Sequence, residues 1–242
     1  VERVVKQASI HGKKVSCHSG ETSASTALNL GVGCVEHAFC LDVLEPDQDW
    51  ATLNVESDKV SRMIDLFLEK KAWFCPTLAV MEAVRHGWGP PFWDVHTEQS
   101  YPKHVADWLK TVIDGAQDRS VSEIDLATAG LDSMKQVVRR FSEAGVMMMA
   151  GSDMPFVPMG TGLHRELELL VDAGLANDKA RKMATSDAAE CLGLVDTVGT
   201  LEVGTSADVI AVNGDPLKNI RDISSIAAMW SDGIKQDLTA LY

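Results

Sequence analysis

Apolar positions change period along this chain, and the changes mark its elements. Val1, Val4, Val5 and Ala8 recur at helical spacing, and Gly12 follows as a C′ residue. Residues 13–17 read as a short strand ending at His18, and 22–30 as a helix stopped by Gly31. Cys34-Val35-Glu36 reads as a second strand ending at His37. An acidic, proline-containing loop over 42–57 leads to an amphipathic helix over 58–71, with Val60, Met63, Ile64, Phe67 and Leu68 on one face. Trp73-Phe74-Cys75 predicts a third strand, closed by Pro76. Residues 85–102 read as a loop rich in glycine, proline and aromatics. His86, His96 and His104 flank it, where they would either line a pocket mouth or, more commonly, sit on the surface. Helices are predicted over 102–114 and 122–144, a fourth strand over 146–150, and further helices near 162–173 and 177–192.

Strands joined by helix-length connections imply parallel βαβ units, so a doubly wound sheet and a (β/α) barrel both fit. After Gly193 the pattern shortens. Gly199, Gly204 and Gly214 punctuate β-like runs at 201–203, 208–212 and 226–230. The expected division is an α/β unit over 1–195 and a small β portion over 196–242. A length of 242 residues is ample for a buried core. With 22 Lys and Arg against 35 Asp and Glu, the formal charge is −13, which argues against a nucleic-acid or anionic-membrane surface. No apolar run approaches the ~20 residues that span a bilayer. The five cysteines are scattered without CxxC spacing and read as reduced, buried thiols. That favours a reducing, cytoplasmic compartment, with export left open because the chain begins Val1-Glu2-Arg3 rather than with Met.

Three of the four predicted strands end in a potential metal ligand: His18, His37 and Asp153. Parallel α/β folds gather chemistry at the C-terminal ends of strands. Two imidazoles and a carboxylate form the mixed nitrogen and oxygen set that suits Zn²⁺ or a similar divalent ion. His37 follows His18 by 19 positions and Asp153 follows His37 by 116, so only a fold that collects strand ends could unite them. Singly, each is better explained as a satisfied core histidine or a capping aspartate; together, the metal reading is favoured.

These residues carry a resemblance. Val15-Ser-Cys-His18-Ser-Gly, Gly31-Val-Gly-Cys-Val-Glu-His37 and Ala150-Gly-Ser-Asp153 look like strands five, six and eight of the metal-dependent amidohydrolase superfamily. The stretches from Leu163 to Leu175, Ala184 to Leu194 and Gly199 to Leu217 resemble its imidazolonepropionase-like and Xaa-Pro or Xaa-Arg dipeptidase-like branch. The resemblance implies the C-terminal half of a (β/α)₈ TIM-like barrel, strands 5–8, plus part of a small β-sandwich. It implies that His18 and His37 hold one metal, most simply Zn²⁺, and that Asp153 holds another and shuttles a proton. The implied reaction is hydrolysis of an amide, peptide or cyclic amide bond, by metal-activated water attacking a carbonyl.

The family's His-x-His pair and its usual carboxylated lysine have no counterpart here, so the chain is expected to begin after strand four and to be inactive alone. Either the missing half would be another chain, or two copies would complete each other as a homo-oligomer, or the chain would pack differently. Three weaker substrate-contact candidates remain: His164, Thr77 and Glu21. His18-Ser-Gly-Glu21 is similar to the His-x-x-Glu of adenosine and cytosine deaminase relatives, where the glutamate moves a proton to a ring nitrogen. That supplies an alternative, hydrolytic deamination of a nucleobase-like heterocycle; the plainer reading makes Glu21 a first-turn helix acid. A non-catalytic half-barrel serving as an assembly piece is the third reading. Arg165 is expected to pair with a nearby acid, and Glu166 and Glu168 to lie on a solvated or salt-bridged helix face.

Overall fold

The computed structural model describes residues 1–86, 98–99, 101–116 and 120–238. Four parallel strands, β1 (Ser16–His18), β2 (Cys34–Glu36), β3 (Trp73–Cys75) and β4 (Met147–Met148), lie side by side in chain order. Their register aligns Cys17, Val35, Phe74 and Met148 across the sheet. The connections carry α1 (Glu2–Ile10) before β1, α2 (Ala24–Asn29), α3 (Asp58–Lys70), and the succession α4 (Leu78–Arg85), α5 (Lys103–Ala116) and α6 (Val121–Glu143). After β4 come α7 (Thr161–Asp172), α8 (Asn177–Met183) and α9 (Ser186–Leu192), then an antiparallel sheet of β5 (Val209–Val212), β6 (Ile226–Ser231) and β7 (Ile234–Lys235). Among the described residues no helix is long and apolar enough to cross a membrane.

Strand alternation gives the sheet two different faces. Val35, Phe74 and Met148 point to the helix layer, where Phe74 meets Phe67 of α3 and Phe141 of α6 at ring separations of 5.7 and 5.0 Å. Cys34, Trp73 and Cys75 point the other way and cluster with Met147, Met149 and Cys191 of α9. The Met147-Met148-Met149 run is thus an ordinary buried strand shared between two layers. All five cysteines are free; Cys34, Cys75 and Cys191 are buried, while Cys17 and Cys40 are half-buried.

Local chemistry sets the helix ends. The Ser57 hydroxyl accepts the Val60 N–H at the start of α3, and Lys71 closes it in the left-handed region. Ser120 and Glu123 form a reciprocal capping box at the start of α6. Leu68, expected on the apolar face of α3, is exposed, because that face is the narrower stripe of Val60, Met63, Ile64 and Phe67.

Four expectations meet a different outcome. The helix expected over 177–192 breaks at Ala184 and Thr185, since the Met183 carbonyl accepts the Ala150 N–H just beyond β4 (2.8 Å) instead of continuing the helix. Residues 78–85 form α4, an element absent from the sequence-based reading. Residues 201–203 are an exposed turn rather than a strand, with Leu201 and Val203 in solvent. Conversely β7 follows a two-residue Asp232-Gly233 turn with φ of 49° and 75°, the mirror-image turn whose twist suits a hairpin. Of the aromatic loop, Trp88, Pro90, Pro91, Trp93 and His96 lie outside the described residues. Tyr101, at its end, is buried and accepts the Met159 N–H (2.9 Å), tying α5's approach to the segment after Asp153.

Candidate functional site

The C-terminal ends of the parallel strands bring His18, His37, Thr77 and Asp153 to one end of the sheet. β2 stops at Glu36 because His37 leaves the extended region, with φ 66°; its N–H still donates to the Cys75 carbonyl (2.7 Å). The Ala38 N–H donates to the Pro76 carbonyl (2.9 Å), so the two strand ends stay laced beyond the sheet. Thr77 and Asp153 also take left-handed backbones, with φ of 48° and 56°. Such conformations cost non-glycine residues energy and gather where a fold over-determines a site.

The side chains converge. The His18 and His37 rings meet edge to face, with centroids 4.7 Å apart and planes at 67°. Phe39 stacks on His37 at 4.9 Å with a 15° interplanar angle, fixing one face of the imidazole. His37 Nδ1 lies 2.6 Å from Thr77 Oγ1 and 4.0 Å from Asp153 Oδ2. Cys40, from the turn after His37, places its sulfur 3.7 Å from His18 Nε2. His37 is buried, His18 exposed and Asp153 half-buried, so the cluster opens toward solvent on the His18 side.

Electrostatics keep His37 neutral. Burial lowers its pKa, and the opposing pull of Asp153 does not overcome this; His18 lowers it further. A neutral imidazole keeps a lone pair for a cation. Burial pushes the neighbouring Cys40 thiol up to about 11, so it stays protonated at neutral pH. The donor chemistry of His18, His37 and Asp153 fits a divalent ion. Yet among the described residues no three His, Cys, Asp or Glu side chains are gathered closely enough to form a metal-binding group. The residues present therefore fit part of a coordination sphere.

The weaker candidates separate. Thr77 is buried with its hydroxyl on His37, so it addresses the imidazole rather than solvent. His164 lies half-buried in the first turn of α7, its pKa lowered by burial against the pull of Glu168. Glu21 is exposed and precedes Ser23, the N-cap of α2, so it is outside that helix's first turn. Arg165 does pair with acids, bridging Glu82 through two bonds of 2.6 and 2.7 Å and also reaching Glu168. Glu166, expected on a solvated or ion-paired face, is instead fully buried. Phe39 and Cys40 were not singled out from the sequence; their only signal is closeness to His37, which a three-residue 3₁₀ turn converts into ring and thiol contacts.

Gly151, two residues before Asp153, is held by a close approach: a Cβ there would lie 2.6 Å from Cys75 Sγ. Gly151→Ala is therefore expected to destabilise the fold by about 1–2 kcal/mol through overpacking. Urea unfolding would check this, and an unchanged midpoint would contradict it.

The sequence pattern of the amidohydrolase family matches residues 1–236. No curated protein matches the chain significantly. Among solved structures, a bottromycin amidohydrolase superposes with a TM-score of 0.70 at 20% identity, covering 99% of this chain and 53% of its own. A Xaa-Pro dipeptidase with methionine bound in its active site gives 0.67 at 22% identity, covering 98% and 48%. A prolidase complexed with N-methylphosphonate-L-proline gives 0.65 at 19%, again covering 98% and 48%. The chain thus spans about half the length of the structures it resembles. At these identities the likeness speaks for the fold alone.

Proposed function

Because this chain belongs to the amidohydrolase family, we propose that His18, His37 and Asp153 are its share of the active site of a metal-dependent hydrolase. The observation that carries the reading is the edge contact of the two imidazoles at adjacent strand ends, with Asp153 4.0 Å from His37. The parallel sheet is read as strands 5–8 of a barrel, and the antiparallel sheet as part of a small sandwich, giving units 1–195 and 196–242. The substrate is read as a dipeptide-like or cyclic amide, in keeping with the methionine and N-methylphosphonate-L-proline bound in the similar structures.

A divalent ion, most simply Zn²⁺, would draw part of its ligands from His18, His37 and Asp153, the rest coming from whatever closes the barrel, and would supply Lewis acidity and a more acidic water. His37, stacked on Phe39 and bonded to Thr77, presents a neutral ring in one orientation. Asp153, half-exposed on a left-handed turn, accepts a proton from the attacking water and returns it to the departing amine. The parallel sheet ends in two unpaired edges, β1 and β4, among the described residues. The site is therefore read as complete only when a second chain, a further segment or another copy closes the barrel. No observation favours deamination: Glu21 is exposed and lies before the N-cap of α2.

Zinc titration of the purified chain, followed by metal analysis, tests this reading. Wild type should retain the ion, and His37→Ala and Asp153→Ala should each weaken retention at least about tenfold. A wild-type chain that binds no metal, or variants that bind as wild type does, would sink it. A parallel assay on Xaa-Pro, Xaa-Arg and N-acyl amino acid substrates is expected to show little turnover by the chain alone; rapid turnover would overturn the half-site reading.

A further inference from the structure

Thr77 occupies the N-cap position of α4 without doing an N-cap's work. Its side chain makes no capping bond, because the left-handed backbone (φ 48°, ψ 49°) turns the hydroxyl toward His37 instead. The helix start is capped from a distant part of the chain. Glu166, in α7, is fully buried, and its Oε2 accepts the Ala79 N–H at 2.7 Å. The Leu78 and Thr77 N–H groups, next to it at the start of α4, also draw the carboxyl's pKa down. Its other oxygen, Oε1, is buried without a hydrogen-bond partner among the described residues.

A fully buried carboxyl with one unpartnered oxygen is costly, and it needs a compensating task. A β-branched residue in the left-handed region is costly too, and stays there only when its surroundings hold it. The two costs meet at one place, the three successive N–H groups that begin at Thr77. We propose that Glu166 is a positioning residue for His37: by accepting the Ala79 N–H it anchors the start of α4 and with it the adjoining Thr77 backbone, and the bond between Thr77 Oγ1 and His37 Nδ1 then fixes the orientation of the imidazole. The relay runs from α7 through the start of α4 to the end of β2. It rests on the reading of His37 as a site residue, because imidazoles that serve a metal or a substrate need an orienting bond on the second ring nitrogen. Glu166 touches no reacting group and acts only through Thr77.

The test reads the imidazole directly, in the metal-free full chain, by ¹⁵N NMR of the His37 ring. Wild type should show separated Nδ1 and Nε2 shifts, the signature of a bond held on Nδ1 alone. Glu166→Asp, which keeps the carboxylate and shortens its reach by one methylene, should collapse that separation toward the averaged value. Glu166→Gln, which keeps an acceptor at full length, should preserve it. Thr77→Val should collapse it as Glu166→Asp does, and the double variant should add nothing further. Zn²⁺ affinity should fall about tenfold in Glu166→Asp and Thr77→Val. The relay is overturned if Glu166→Asp leaves the His37 shifts as in wild type, or if Glu166→Gln disturbs them equally. It is also overturned if the double variant shows the sum of two separate effects. A wild-type chain that shows the separated shifts but binds no Zn²⁺ would defeat the metal-site reading while leaving the relay standing.

Discussion

Replacing Glu82 by alanine is expected to cost the fold about 3 kcal/mol, an unusually large effect for a charged residue. Glu82 lies on α4 and is nearly inaccessible, and Arg165 of α7 grips it through a two-bond fork of 2.6 and 2.7 Å. Burial alone would push the Glu82 carboxyl up. The Arg165 hydrogen bonds and charge, helped by Arg85 and His86, outweigh it and hold the group below the usual carboxylate range. Removing the carboxylate leaves a half-covered guanidinium with, among the described residues, Glu168 alone to satisfy it. Breaking a buried pair from one side costs about 3–5 kcal/mol, and the surviving Glu168 contact places this case at the lower end. The double replacement Glu82→Leu with Arg165→Met removes both charges and should return to within about 1 kcal/mol of wild type. Denaturant unfolding of the two variants decides it: equal losses in single and double variant would mean that packing, not the unpaired charge, sets the cost. The pair's contribution is present above the unfolded carboxylate range and fades as acid lowers the pH through the depressed value.

The same two helices show what the sequence could and could not reveal. Strand positions were legible because Cys34-Val35-Glu36 and Trp73-Phe74-Cys75 are short apolar runs bounded by turn residues, and their helix-length connections imply parallel pairing. The strand-end cluster was legible for the same reason: His18, His37 and Asp153 each follow such a run. α4 was not, because Pro76 reads as a stop, and a helix starting at a left-handed threonine has no local cap to announce it. Its cap is Glu166, separated from Ala79 by 87 positions, a relation no window of sequence contains. Glu166 itself sits between Arg165 and Glu168, so its charge looked like one more member of an ion-paired face. Helical geometry turns it inward, toward α4, while Arg165 beside it reaches Glu82.

That buried position gives the chain a pH dependence opposite to the usual acidic loss of stability. Burial raises the Glu166 pKa from 4.5 to about 8; the N–H groups of Ala79, Leu78 and Thr77 pull it down less than burial and the nearby Glu82 charge push it up. The folded state therefore holds this proton more tightly than the unfolded chain does. Between the two values the folded state binds more protons, so stability falls as pH rises. The contribution is fully present below about 4.5 and is lost once the pH passes about 8. At ~1.36 kcal/mol per pKa unit, the loss across that window is at most about 5 kcal/mol. Glu166→Gln removes the titration while keeping the side chain's length and one acceptor. Its stability should be lower than wild type's at pH 5, where the wild-type carboxyl is protonated and the new amide N–H₂ is buried at the unpartnered Oε1 site. By pH 8.5 the order should have narrowed or reversed, because the wild type now carries a buried charge and the variant does not. Urea midpoints of both proteins at half-unit steps from pH 5 to 9 measure this, since every other carboxyl is common to the two. Parallel curves would show that Glu166 is already ionised throughout, held so by the three N–H groups at the start of α4.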